Sequence, residues 1–146
     1  MLREKENKTI LSSIRDYIMS CPLLHDGAVN IGYLSNRIEY SIDVLPMTPV
    51  VKKYIDGGCQ KQFGFALTSK EVFDGDARTA LDSSGFYEDF ERWIEDNERL
   101  QIYPELPDGL IPQMIEVTTG GYIFDIETGM AKYQIQCRLI YEWEAM

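Results

Sequence analysis

The single histidine of this 146-residue chain is the first place to look for catalytic chemistry. His25 lies in the segment Leu-Leu-His-Asp-Gly, and a histidine beside a carboxylate is half of a general-base or nucleophile-activating pair. The other half would be a second histidine, a serine in a G-x-S-x-G turn or a partnered cysteine. The sequence contains none of these arrangements. For His25 the pattern therefore favours a role in structuring a surface loop, rather than a catalytic role.

The cysteines and the short acidic motifs do not form a metal-binding pattern. Cys21, Cys59 and Cys137 are far apart and include no C-x-x-C pair, so the spacing of a zinc site is missing. The segment 74–76 (Asp-Gly-Asp) lacks the alternating ligands and distant glutamate of a calcium loop, which favours a solvated turn. An odd number of cysteines without a signal peptide predicts an intracellular protein with reduced, buried thiols.

Carboxylates are abundant between Glu88 and Glu98, but their arrangement does not suggest acid–base catalysis. Glycoside hydrolysis needs two carboxyl groups that share a cleft and have different pKa values, whereas these acids are predicted to line the outer faces of a helix. The phosphate-binding patterns G-x-x-x-x-G-K-[ST] and G-x-G-x-x-G are also absent. We therefore assign no catalytic, cofactor-binding or metal-ligating residue, and we expect an interaction or structural protein rather than an enzyme.

The net charge of the chain comes almost entirely from one segment. The sequence has 24 acidic and 14 basic residues, a formal net charge of -10. Twelve acidic and three basic residues fall between Glu71 and Asp108, which gives that segment a net charge of -9. Such an excess of acid disfavours direct binding to nucleic acid or to an anionic membrane. No apolar run approaches the roughly 18 residues that a membrane-spanning helix needs.

The spacing of apolar residues predicts two amphipathic helices. Apolar residues recur at the period of a helix, and so share one face, over Lys8–Cys21 and again over Phe86–Leu100. Residues 82–84 (Asp-Ser-Ser) are predicted to cap the second helix, after a short helical lead-in over residues 76–81. Residues 1–7 are expected to be disordered.

Alternation of apolar and polar residues predicts strands before and after the second helix. Residues 22–30 and Tyr103–Pro112 are interpreted as loops, and Gly120-Gly121 indicates a bulge or a close backbone approach. The second and third strands are expected to pair as a hairpin, and so are the last two. The predicted strands are 38–44, Val50–Ile55, Gln60–Thr68, 115–124 and Tyr133–Trp143.

We expect these elements to build one α+β domain over residues 1–146. Hairpins with helices on one face predict an antiparallel or mixed sheet of about five or six strands, with the two main helices packed on it.

The second half of the chain carries motifs that resemble those of a known family. The motifs are FGFALTSKE (Phe63–Glu71), GFYEDFERWI (Gly85–Ile94), Leu106-Pro107, IEVTTGGYIF (Ile115–Phe124) and AKYQIQCRLIY (Ala131–Tyr141). With these motifs, from about Phe63 to Trp143, the chain resembles the tail-terminator or minor capsid proteins of long-tailed phages and prophages of Firmicutes. They are core and turn patterns rather than catalytic signatures.

The resemblance implies a structural role in virion assembly. Tail terminators are α+β subunits that form a ring, commonly a hexamer, on the end of the tail tube. The ring stops polymerisation and prepares the tail for joining to the head. The implied partners are other copies of this chain, the tail tube protein and a head-completion or connector protein. The implied location is the bacterial cytoplasm during assembly, and then the tail or neck of the virion.

A closed ring needs complementary patches on each subunit. Under this resemblance, the candidate interface residues are the lysines of the predicted hairpin and the acids of the second helix. They are Lys52, Lys53, Lys61, Glu91, Glu95 and Glu98.

Two other functions remain open from the sequence. One is a different head–tail connector or minor capsid protein, which would bind a portal or connector ring instead of a tail tube. The other is a small-molecule enzyme or binding protein, which would need an apolar pocket with convergent polar groups.

Overall fold

A computed structural model of the chain describes residues 9–24, 29–31, 39–72, 77–127 and 130–143. The predictions for residues 1–7, His25 and the acidic turn at 74–76 lie outside these ranges. The described residues form two helices and six strands, which confirms the predicted α+β class and a mixed sheet. In chain order the elements are α1 (Ile10–Met19), β1 (Val29–Ile31), β2 (Glu39–Leu45), β3 (Val50–Lys53), β4 (Cys59–Val72), α2 (Ala77–Arg99), β5 (Leu110–Glu127) and β6 (Met130–Trp143).

All six strands belong to one sheet of order β1-β2-β4-β6-β5, in which β3 also pairs with β4. β1 runs parallel to β2, and the other neighbours are antiparallel. β2 lies opposite 64–70 of β4, and β3 lies opposite 59–61. Pro46 and Pro49 separate β2 from β3, because proline cannot donate to a strand ladder. β2 and β3 therefore share one side of β4.

Helix α1 begins with a capping box. The Thr9 hydroxyl accepts from the Ser12 backbone N–H, and the Ser12 side chain accepts from the Thr9 N–H, each at 3.0 Å. Ile14 and Ile18 are fully buried, as expected for the apolar face of an amphipathic helix. Pro22 follows shortly after the helix and cannot extend it.

Helix α2 is longer than the sequence predicted. It begins at Ala77, so residues 82–84 lie inside the helix and the prediction that they cap it is wrong. The segment 77–85 contains no proline, and serine or glycine costs a helix at most about 1 kcal/mol per residue. Adding turns to a helix that already exists is cooperative. The lead-in and the amphipathic segment therefore form one continuous helix.

The core lies between the helices and one face of the sheet. On β6 every odd-numbered residue from Ala131 to Tyr141 is buried, as its period of two predicted. Phe65 and Leu67 of β4 belong to the same face, since they pair with Cys137 and Ile135. Phe90 and Ile94 of α2 are fully buried in the same cluster.

Two loop predictions are wrong at their ends. Residues 29 and 30 belong to β1, whose three residues are too few to show an alternating pattern. β5 begins at Leu110, so Pro112 lies inside a strand rather than in the preceding loop. β5 is at the edge of the sheet, where a proline is tolerated because its missing N–H need not be paired.

Gly121 marks a close approach of β5 to α2. The β5–β6 register shifts between Thr119 and Tyr122, which is a bulge. A Cβ atom at position 121 would lie 2.6 Å from Cγ of Tyr87 on α2. Both parts of the expectation for the glycine pair, a bulge and a close approach, are confirmed.

We expect Gly121→Ala to destabilise the fold by about 1–3 kcal/mol, because the added methyl must push Tyr87 and α2 away from β5. Equilibrium urea unfolding measures this difference. Gly85→Ala is the matched control, since nothing lies within 4 Å of the new Cβ and the site is in α2. It should stabilise the fold by about 0.5–1 kcal/mol. Equal effects of the two substitutions would contradict the close approach.

Candidate interaction surfaces

The basic hairpin, which we define as β3, the turn 54–58 and the start of β4 up to Lys61, carries the three predicted lysines. Lys53 and Lys61 lie on one face of its strands and Lys52 on the other. Lys52 and Lys53 are exposed and Lys61 is half-buried. The ammonium of Lys52 lies 5.8 Å from the ring centre of Tyr54, and that of Lys61 lies 5.6 Å from the Trp143 ring. Both lysines therefore rest on aromatic faces.

The turn of the basic hairpin presents an isoleucine to solvent. Ile55 has a relative exposure of 108%. The turn is closed beneath it by hydrogen bonds from the Tyr54 N–H to the Gly58 carbonyl at 2.8 Å and from the Gly58 N–H to the Asp56 carboxylate at 2.9 Å. Gly57 has φ +95°, a backbone conformation that favours glycine. A β-branched apolar residue is unusual in such a turn.

The three predicted acids of α2 have different surroundings. Glu95 is exposed and Glu91 is half-buried. The Glu98 carboxylate accepts from the backbone N–H of Ile115 at 3.0 Å and from the hydroxyl of Tyr103 at 3.3 Å. Glu98 therefore ties α2 to β5, whereas Glu95 is available for a partner.

The sheet separates the basic hairpin from the acidic helix. β3 lies on one side of β4, and β6 and then β5 lie on the other. Helix α2 is held over β5 through Glu98 and through the approach at Gly121. Adjacent strands are about 4.8 Å apart, so β3 and β5 lie about 14 Å apart across the sheet. The two charged surfaces therefore lie toward opposite edges of the sheet.

A cleft lies between α1 and the segment 102–105. Its volume is about 290 Å³. The walls are formed by Ile102, Pro104 and the rings of Tyr17 and Tyr103, and the exposed carboxylates of Asp16 and Glu105 are also among its lining residues. The surface of the cleft is thus mainly apolar with acidic groups at its edge.

Tyr17 holds the cleft together. Its hydroxyl donates to the Ile102 carbonyl at 3.0 Å and accepts from the Asn97 side-chain amide at 2.9 Å. Burial raises the pKa of Tyr17 to about 12, although the hydrogen bond from Asn97 acts in the opposite direction. Ser13 also lines the cleft, and its buried hydroxyl has no hydrogen-bond partner within the described part of the chain.

The second face of the sheet is polar. Arg138 binds Glu116 of β5 and donates to Gln62 of β4 at 3.1 Å. Gln134 and Gln136 are linked at 3.0 Å. These side chains hold three adjacent strands together through hydrogen bonds, so they account for this face without a ligand.

The cysteines are buried, as predicted. Cys21, Cys59 and Cys137 are free thiols, and burial raises the pKa of Cys21 and of Cys137. Within the described ranges, no three His, Cys, Asp or Glu side chains are placed to hold a metal ion. The helices of the described part of the chain are also too short or too polar to cross a membrane.

No protein-family model matches this chain, and no curated protein matches it.

Sequence reasoning grouped the three lysines correctly but missed Ile55 and the cleft. The isoleucine beside Asp-Gly-Gly was a visible signal, because apolar residues are depleted in turns. The cleft had no such signal, since Tyr17 and Ile102 are 85 residues apart in sequence.

Glu98→Ala should destabilise the fold by about 1.5–3 kcal/mol, because it leaves the Ile115 N–H without its acceptor. Glu95→Ala, three residues earlier on the same helix, should change stability by less than about 0.5 kcal/mol. Urea unfolding of both variants compares the two roles. Similar losses in the two variants would contradict the separation of a structural from a surface carboxylate.

The raised pKa of Tyr17 predicts a loss of stability at alkaline pH. The unfolded chain ionises this tyrosine near pH 10, whereas the folded chain resists ionisation until about pH 12. Its contribution is therefore fully present below pH 10 and is lost as the pH rises from 10 to 12.

Tyr17→Phe should consequently show a shallower fall of unfolding free energy above pH 10 than the wild-type chain, although it starts from a lower value. Unfolding curves between pH 8 and 11.5 measure the slope. Parallel slopes in the two proteins would show that Tyr17 is not protected from ionisation.

Proposed function

We propose that this chain is a phage or prophage structural protein that self-assembles into a ring on the end of a tail tube. The ring stops tube polymerisation and prepares the tail for joining to the head. It acts in the bacterial cytoplasm during assembly and belongs to the tail or neck of the finished virion.

One observation carries this proposal: each chain has two different charged surfaces, one at the β3 edge of the sheet and one on the helix over its β5 edge. A ring joins the front of one subunit to the back of the next, so each subunit needs two unlike patches that complement each other. The basic hairpin, with Lys52 and Lys53 exposed, is one such patch. The outer side of α2, with Glu95 exposed, is the other.

Ion pairs between these exposed patches are too weak to hold two subunits together by themselves. An exposed ion pair contributes only about 0.2–1 kcal/mol, so a few such pairs orient two subunits but do not hold them together. Electrostatic complementarity mainly sets partner choice and association rate. An apolar contact must supply most of the affinity.

Charge reversal tests the role of α2. Glu91→Lys with Glu95→Lys should weaken self-association about five-fold at 0.15 M salt, because attraction to the basic hairpin becomes repulsion. Sedimentation equilibrium over a range of protein concentrations measures the change.

Asp108→Lys with Asp125→Lys is the control. It changes the net charge by the same amount at exposed positions outside α2, one in the turn before β5 and one in β5 itself, where Asp125 gives up an exposed ion pair with Lys132. This pair should leave the association constant within about two-fold of wild type. If both double variants behaved alike, net charge rather than the surface of α2 would determine assembly.

Removal of the protein tests its role in the virion. Particles from a phage that lacks the gene should have overlong tails by electron microscopy, and the gene supplied in trans should restore normal length. Tails of normal length without the protein would refute tail termination.

Binding experiments separate this role from the connector alternative. A tail terminator should bind purified tail tubes and leave isolated portal or connector rings unbound. The reverse preference would favour a head–tail connector or minor capsid protein.

A further inference from the structure

We propose that Ile55 of one copy inserts into the cleft between α1 and residues 102–105 of the next copy. The neighbouring Lys52 and Lys53 then meet the carboxylates of Asp16 and Glu105. This contact deepens the proposed function, on which it rests, by naming the surfaces that join ring subunits. The cleft borders the C-terminal end of α2, where Asn97 binds Tyr17 of the cleft, so the acids of α2 attract the same hairpin from beside the contact.

The hairpin turn has the form of a knob. Ile55 is fully exposed, while the backbone of the turn is closed by its own hydrogen bonds. Because the turn is already closed, little ordering is needed when it docks. Burying one isoleucine side chain raises an association constant about ten-fold or more, which supplies the apolar contact that exposed ion pairs lack.

The cleft suits one side chain better than a larger ligand. Its volume of about 290 Å³ lies at the lower end of the range for small-molecule sites. Its apolar walls match the isoleucine.

Charge complementarity selects the partner. Asp16 and Glu105 are exposed residues that line the cleft, and Lys52 and Lys53 lie on the strand that leads into the Ile55 turn. Among the described residues, the ion pair of Asp16 is a long one, with Arg15 at 4.0 Å. Consecutive strand residues point to opposite faces, so Lys52 and Lys53 flank the apolar turn on two sides. Asp16 on α1 and Glu105 on the segment 102–105 flank the apolar cleft in the same way.

The contact must form between copies rather than within one chain. Ile55 is completely exposed, so it does not occupy the cleft of its own chain. Knob and cleft also lie near the same end of the sheet, since Lys53 and Leu110 belong to the strand ends that flank Cys59 and Trp143. Patches at a similar height on two sides of a subunit favour a closed ring over a rising helical filament.

Site-specific cross-linking tests this contact directly. An Ile55→Cys chain is mixed with a Glu105→Cys chain that carries a peptide tag, and a short bis-maleimide is added. The native cysteines are buried and should not react. We expect a mixed dimer of distinct size from this pair. Ile126→Cys replaces Ile55→Cys in the control, because Ile126 is an exposed isoleucine at the other end of the sheet.

A cross-link from Ile55→Cys at least ten-fold above the control supports the contact. Equal yields from the two pairs, or no product from either at high protein concentration, overturn it. Ile55→Asp should also weaken self-association at least ten-fold, whereas Ile126→Asp should stay within two-fold. An unchanged association constant for Ile55→Asp likewise overturns the contact.

The outcomes for this contact and for the proposed function are distinguishable. If the cross-link forms but the wild-type chain does not bind or shorten tail tubes, the contact stands and the tail-terminator role fails. If the chain caps tubes and Ile55→Asp caps them equally well, the role stands and the contact is wrong.

Discussion

The register between β4 and β6 is the constraint on which the other elements depend. Every residue of β4 has a partner on β6, from Cys59 opposite Trp143 to Val72 opposite Met130. A slip of β6 by one residue would turn its buried side chains to the polar face and bring Gln136 or Arg138 into the core. Both faces oppose such a slip, because Arg138 on the polar side bonds to β4 and β5 at once. The fixed pair of strands then determines where β5 and α2 can lie.

Hydrogen bonds between residues far apart in the sequence fix the position of the cleft relative to the sheet. Glu98 fixes α2 to β5, and Asn97, the preceding residue, reaches back to Tyr17 on α1. Tyr17 in turn holds the carbonyl of Ile102. Consecutive residues at the end of α2 thus position both β5 and the lining of the cleft. Buried networks of this kind stabilise a structure only when each member is paired, so the cleft should be as rigid as the helices that support it.

Local patterns predicted the parts of the fold that are determined locally. The alternation over Tyr133–Trp143 predicted a strand, and the apolar face around Ile14 and Ile18 predicted a helix. Both predictions are confirmed, because each pattern depends only on how a single element packs against the core. The lead-in was predicted, but its continuity with the rest of α2 was missed, because cooperative extension of a helix outweighs a favourable capping sequence. The cleft could not be predicted, because its walls meet only when α1, α2 and the segment before β5 are assembled. The hairpin that carries Lys52, Lys53 and Lys61 could be predicted from local sequence. The contact of Glu98 with Ile115 could not, because Ile115 is distant in sequence.

The uneven charge of the chain bears on which assembly it can form. Two copies with a net charge of -10 repel each other, but at 0.15 M salt this repulsion is screened beyond about 8 Å. At contact distance, the local distribution of charge determines which surfaces attract each other. A two-fold dimer through α2 would place Glu95 against its own copy, which is unfavourable, whereas a head-to-tail contact places the basic hairpin against acid. Because -9 of the charge lies between Glu71 and Asp108, the rest of the chain is close to neutral and does not oppose this orientation. In the proposed ring, the same acid would keep like surfaces apart and favour the open, repeating contact from which the ring closes.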